Sequence, residues 1–438
     1  MQTFPMERSV DIIEARKRLE ETLQTYGINW SIRTMGQRIF TAKCTLHDEK
    51  GRFLDYGYGK GNEDESLTGA IFEAVEHWFS NFGNSQKDNI KHLDSLTYAT
   101  NSDFSKNLPI SIIRESASAV MAFRTYNQIG SSEQVLYPVA LSTPRYIDEI
   151  YLDPHRYMPD NFDYSGLERY CSNSGVAIGS NALEAIIHGL LEAIERDSLS
   201  RFLVKIFLRR ERVALRRLNL ESLPDSLQEL HLKVTEETGL DVLIFEMEND
   251  FGIPAFCSTL SNSQFLIEET GFGCSLSREH ALYRSLHELV QCYHARALFH
   301  PSEFSLKESK ILKKFSRHPF HLRCAEFKLS KSCDELGYSE IDFSNVPTSN
   351  IPINLEDYQN LILSKIESAG RRAYSTIVNK LYGGQIIAHS FIESQDHFFC
   401  VTEGNFVFPN SSQGKQEAGA QLQHSLADIV LLGTPPLT

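Results

Sequence analysis

Residues 175–202 read GVAIGSNALEAIIHGLLEAIERDSLSRF, a glycine-rich approach followed by helical periodicity that predicts a helix over 181–208. Asn181 opens this helix with Glu184 three residues on, a capping pair that fixes the start and aims the free N–H groups of the first turn outward. At about 100° per residue, Glu192 lies about 80° and Glu195 about 20° around the axis from Glu184, so the three carboxylates share one face. Leu183, Ile187, Leu190, Leu191 and Ile194 gather elsewhere on the wheel and are expected to face a core. An acidic face like this is ordinarily solvated, so one helix alone says little about chemistry.

The same plan recurs twice. GYGKG (57–61) precedes Ala70-Ile71 and GFGCS (271–275) precedes Ala281-Leu282, as GVAIG (175–179) precedes Ala185-Ile186. The first helix, expected over 66–82, carries Glu73 and Glu76, neighbours at i, i+3 with His77 as the closest cation. The third, over 278–298, carries Arg284, Glu288 and Gln291 at i, i+4 and i+7. Gly57, Gly59 and Gly61 read as a break between a strand at 52–58 and the first helix. Three such units suggest an α+β fold around one centre. Mg²⁺ takes six oxygens, often from a few carboxylates and nucleotide phosphates, and arginines meet charge on a transferred phosphoryl group. A site lined by five glutamates and two arginines can therefore bind ATP. No G-x-x-x-x-G-K-[ST] loop, H-E-x-x-H pair or G-x-S-x-G elbow is present, and no residue is identified as a nucleophile or general base.

In order and separation, GKGNEDESLTGAIFEAVEHW, GVAIGSNALEAIIHGLLEAIERDSLSRF and SREHALYRSLHELVQ resemble the three nucleotide-binding motifs of the YcaO family. The run E-A-I-x-H-G-L-x-E-x-I-E-R-D is the most specific of them. The resemblance implies the YcaO fold, repeated helix and sheet units around one nucleotide site, with ATP and Mg²⁺ as cofactors. It implies that Glu73, Glu76, Glu184, Glu192 and Glu195 carry metal and nucleotide, and that Arg196, Arg284, Glu288 and Gln291 contact phosphates or complete the site. Arg8 corresponds to a basic residue near the nucleotide in some relatives. Ser180 stands where the family often has Asn, and His77 where Arg is frequent. The tail Leu432 to Thr438 lacks the P-x-P-x-P ending of many azoline-forming relatives. By the same resemblance the reaction is ATP-dependent activation of a backbone amide, foremost cyclodehydration of Cys, Ser or Thr to azolines in a ribosomally made precursor peptide. Thioamidation, or assistance to modification of a ribosomal protein, is the alternative, and an inactive scaffold in a synthetase complex a further one. A leader-binding or E1-like partner protein is implied, and a homodimer or hetero-complex is compatible with the motifs.

The formal charge of −14 argues against a nucleic-acid surface. Eight scattered cysteines form no C-x-x-C pair, and neither a signal peptide nor a membrane span is legible, so a cytoplasmic protein is expected. One large domain is expected over 1–438: an N-terminal helix (11–26) and hairpin within 1–60, a nucleotide-binding core over 61–300, an insertion or mobile connection over 301–353, and a helix–strand–strand unit with tail over 354–438. Within the core, 239–247 and 253–260 read as strands, whereas 87–170 shows few clean periods.

Overall fold

The three glycine-rich approaches are strands, and each forms the edge of a different sheet. The computed structural model describes residues 7–102, 104, 107–153, 158–263, 265–299 and 301–410. The tail at 432–438 lies outside the described residues. Strand β1 (Phe53–Gly61) closes a three-stranded antiparallel sheet with Asn29–Met35 and Phe40–His47. Strand β2 (Val176–Gly179) ends an antiparallel sheet ordered Ile90–Asp94, Val120–Gln128, Ala373–Lys380, Ile386–Ile392, β2, with Gln134–Pro138 paired to Val120–Gln128. Strand β3 (Thr270–Cys274) ends a third sheet, running on through Ala255–Leu260, Val242–Glu246, Leu215–Leu218 and Tyr338–Ile341, whose last pair is parallel.

Each edge strand is followed by the helix that lies on it: α1 (Glu63–Ser80), α2 (Ala182–Leu203) and α3 (Arg278–His294). The expected break at 57–61 does not exist, because β1 runs through all three glycines. The reason is steric. A Cβ on Gly59 would stand 1.8 Å from the Ser66 carbonyl oxygen, and one on Gly57 2.2 Å from the Ala74 nitrogen. At Gly179 it would meet the Ala185 nitrogen at 2.5 Å, and at Gly271 and Gly273 the Ser285 and Ala281 carbonyl oxygens at 2.1 Å. Glycine weakens a strand, yet here it lets a helix backbone rest on the sheet. Ala70, Ala185 and Ala281 are fully buried at these contacts, which explains the repeated glycine-then-alanine pattern.

Helix starts follow their caps. Asn62 and Glu65 form a reciprocal capping box, so α1 begins at Glu63, three residues before the periodicity suggested. Asn181 and Ser277 accept from the N–H groups of Glu184 and His280 to start α2 and α3. Ile187, Leu190, Leu191 and Ile194 are buried in the main core, as expected, and Leu183 packs at its margin. Residues 87–170 supply three strands of the largest sheet and short helices between them. Residues 301–341 fold into α4 (Pro301–Phe315), the helices Pro319–Glu326 and Leu329–Leu336, and the edge strand Tyr338–Ile341. Among the described residues no helix is long and apolar enough to cross a membrane.

Gly273→Ala should destabilise the chain by about 2–3 kcal/mol, the cost of overpacking against backbone that cannot yield. Gly166→Ala, where the nearest atom is an ordinary 3.5 Å away, should be near neutral; chemical denaturation of both variants measures the difference.

Candidate functional site

The three units interlock in a ring, each helix sending a side chain to the strand of the next. From α1, the Glu76 Oε2 accepts the Ile178 N–H of β2 at 2.8 Å. From α2, the Arg196 guanidinium sits 5.7 Å above the Phe272 ring of β3, and 5.9 Å from Phe399 on its other flank. From α3, Glu288 takes a charged hydrogen bond from Lys60 of β1. The acidic faces of the helices thus point at one another. Glu184 and Glu195 are buried, while Glu73, Glu76, Glu192 and Glu288 are half-buried. No solvated surface stripe survives.

Local charges do not settle these carboxylates. Burial, with Glu192 and Glu73 nearby, pushes the Glu76 carboxyl well above the usual range. Burial likewise raises Glu73, against the opposing pull of His77 (3.8 Å away) and Lys60. Glu195 is raised for the same reason, and Glu192 is pushed up to about 7 although Arg196 opposes the burial. Arg196 stands 3.9 Å from both Glu192 and Glu195, too far for a tight pair. Only Glu288 is pulled down, because Lys60, Arg196 and Arg284 together outweigh its burial. Burial would lower both arginines, but Glu195, Glu192 and Glu288 raise Arg196, and Glu7 and Glu195 raise Arg284. The centre therefore holds more negative charge than its own cations neutralise.

The N-terminal segment closes one end. Glu184 Oε2 accepts from the Ser9 hydroxyl at 2.9 Å and from the Ser180 N–H at 3.3 Å, and Arg8 Nε lies 3.4 Å from Oε1. Ser180 thus contributes its backbone to that carboxylate. Glu7 is buried beside them, accepting from the Ser275 hydroxyl at 2.6 Å and the Tyr358 hydroxyl at 2.7 Å. Burial alone would raise Glu7, but His280 at 3.3 Å and Arg284 at 3.8 Å hold it well below the usual carboxylate range. His188, one turn from both Glu184 and Glu192, is kept neutral by burial and by Arg8 and Arg284. Gln291 lies one turn past Glu288 on α3. Sequence reasoning assigned no role to Glu7, Ser9, Lys60 or His188. For His188 and Lys60 a signal existed, the i, i+4 spacing between two glutamates and the alternation along β1; Glu7 carried none.

A family model described as YcaO cyclodehydratase, ATP- and Mg²⁺-binding, matches residues 57–375. The chain belongs to the YcaO family. Its fold is that of the YcaO from Methanopyrus kandleri bound with AMPPCP and Mg²⁺, at a TM-score of 0.63 and 16% identity over 92% of this chain and 96% of that one. A heterocyclase in complex with substrate and cofactor gives 0.63 at 15% identity, over 91% of this chain and 55% of that one. The E. coli microcin synthetase McbBCD complex gives 0.52 at 15% identity, over 83% and 86%. An uncharacterised protein from the tfuA 3′ region of Rhizobium leguminosarum bv. trifolii is 32% identical over 89 residues, which span 20% of this chain and 20% of that relative.

As a YcaO member the chain is an ATP- and Mg²⁺-binding enzyme, and its residues fit those ligands. Among the described residues, no three His, Cys, Asp or Glu side chains gather closely enough to hold an ion unaided. Mg²⁺ usually takes one or two carboxylates and completes its octahedron with phosphate and water, so this spread of acids suits an ion that arrives with nucleotide. Binding it would offset the burial and mutual repulsion that raise the carboxyls of Glu73, Glu76, Glu192 and Glu195.

Two pH effects follow with definite sign. Glu192 binds its proton more tightly folded than unfolded, so its share of stability is present at acid pH and lost as pH rises through about 7. The nucleotide-free protein should melt at lower temperature as pH rises over that range, and Glu192→Gln should flatten the slope. Mg²⁺–nucleotide affinity should move oppositely, rising as protons leave; calorimetry in buffers of different ionisation enthalpy would detect the released protons.

Proposed function

We propose that this chain activates a backbone amide of a ribosomally made peptide at the expense of ATP: a Cys, Ser or Thr side chain of the peptide attacks the preceding carbonyl, the resulting oxyanion is phosphorylated, and phosphate leaves to give an azoline. The observation that carries this reading is the set of under-neutralised carboxylates from three helices, with Arg196 and Arg284 among them. In this reading Glu73, Glu76, Glu184, Glu192 and Glu195 hold metal and nucleotide. Arg196 and Arg284 meet phosphate charge, Arg8, Ser9 and Ser180 secure the Glu184 end, and Lys60 orients Glu288 beside Gln291. Bound MgATP supplies the phosphoryl group that makes the amide oxygen a leaving group. The guanidiniums stay charged across the working pH range and so keep stabilising the charge that develops there.

The nucleophile comes from the substrate, because the protein's own nearby thiols are poor candidates. Burial pushes Cys257 and Cys274 well above the ordinary thiol range, which removes their thiolate forms. Sulfur delivered from outside would serve equally as the nucleophile, so replacement of the amide oxygen by sulfur is the second reading. A relative solved with its substrate and another solved as a multi-subunit complex support a peptide substrate and a partner protein, with a leader-binding or E1-like chain as the expected partner. A scaffold without activity is disfavoured, since the carboxylates cost folding energy that only a bound cation returns.

Glu195→Ala and Glu192→Ala should each lower peptide-stimulated phosphate release by at least about 100-fold, comparable to removing a preorganised charge from other active sites. Circular dichroism should report an unchanged fold. Mass spectrometry of a co-expressed precursor distinguishes the products, loss of water for an azoline and exchange of oxygen for sulfur for a thioamide. Wild-type turnover in either variant would refute the site assignment.

A further inference from the structure

Helix α4 is the most exposed long helix beside the site: of its 15 residues only Glu308 and Phe315 are buried. Between 307 and 317 the chain carries Lys307, Lys310, Lys313, Lys314 and Arg317 against the single acid Glu308. That acid turns inward to Arg296 at 3.4 Å, so it neutralises none of the outward row. Among the described residues Lys307, Lys310, Lys313 and Arg317 form no ion pair, while Lys314 donates to the Gly404 carbonyl at 2.8 Å and tethers the helix. Leu306, 58% exposed, adds an apolar side chain to the same helix. A concentrated positive face on a protein of charge −14 is a departure from its surroundings.

Its position links it to the site. The 3-10 turn Phe398–Glu403 joins helix to centre: Arg196 stands 5.9 Å from the Phe399 ring at its start, Lys314 of α4 holds the Gly404 carbonyl at its end, and Arg196 and Lys307 both oppose the burial that raises the Glu403 carboxyl. The chain entering the helix rests on the outer face of β1, where the Phe299 ring stands 5.8 Å from that of Tyr58. There Lys43 lies 4.5 Å over the Tyr56 ring and Arg33 5.2 Å over Phe299, so cations and rings continue the surface toward Lys60. The row from Lys307 to Lys314 extends about 10 Å along the helix axis, a length suited to a short run of extended polypeptide.

We propose that the outward face of α4 and the turn after it, from Lys307 to Arg317, docks an acidic stretch of the polypeptide that the enzyme modifies, so that the residues beyond that stretch lead past Glu403 toward Arg196. This rests on the amide-activation reading and adds a substrate-docking surface to it. A polyanionic nucleic acid fits less well, because its continuous phosphate charge runs beyond this short row onto a molecule of net charge −14.

The test is fluorescence anisotropy on the full chain with labelled synthetic peptides, one Glu-rich and one Lys-rich of equal length, and MgATP binding measured on the same samples. The Glu-rich peptide should bind, weaken as salt rises, and lose about tenfold in affinity in the exposed double variant Lys310→Glu/Lys313→Glu. Lys310→Arg/Lys313→Arg should bind as wild type, and MgATP affinity should stay unchanged in both. Equal binding by wild type and the reversed variant, tighter binding of the Lys-rich peptide, or tighter binding of a single-stranded oligonucleotide overturns the proposal. A wild-type protein that binds MgATP but not the Glu-rich peptide refutes the docking face and leaves the amide-activation reading standing.

Discussion

Where a helix backbone rests directly on a strand no side chain fits between them, and this molecule makes that contact three times. Gly57 and Gly59, Gly179, and Gly271 and Gly273 are the positions that permit it. The approach brings each helix close enough to its edge strand for side chains to cross to the neighbouring unit. Glu76 reaches the Ile178 N–H, Arg196 the Phe272 ring, and Glu288 the Lys60 ammonium. An edge strand offers unpaired N–H groups that ordinarily need cover, and here a carboxylate supplies it at β2. A hydrogen bond to a charged group contributes roughly 1.5–3 kcal/mol, so the Lys60–Glu288 crossing helps to make the ring a structural clasp around the candidate site.

The same clasp concentrates acids that the fold leaves incompletely satisfied. Glu7 shows what full satisfaction looks like, with two hydroxyl donors, His280 and the Arg284 guanidinium around one buried carboxylate. Glu76, Glu192 and Glu195 have no comparable shell, and their carboxyls rise instead. Such strain persists in functional centres because a ligand completes what the protein omits. The N-terminal segment contributes to both kinds of environment, Glu7 on the satisfied side and Arg8 and Ser9 at Glu184.

Much of the fold could be read from periodicity. The helices at α1, α2 and α3, the first hairpin, the strands 242–246 and 255–260 and the last helix–strand–strand unit follow patterns long enough to stand out locally. The glycine strands were harder to recognise, since glycine in isolation signals a break. Their extended conformation is selected by a helix backbone many residues away. Residues 87–170 and 319–341 consist of short elements whose partners are distant, as when Tyr338–Ile341 pairs with Leu215–Leu218, and short elements carry little period of their own.

From the amino-acid sequence alone came the α+β class, the three acidic helix faces and their family resemblance, because residue spacing sets which side chains share a face. Whether those faces looked at water or at one another was a question of tertiary structure. Packing three edge strands around one centre turned isolated stripes into a shared cluster and drew in Glu7, Ser9, Lys60 and His188. It also raised the carboxyls, since protonation depends on burial and on neighbours that spacing along one helix does not contain.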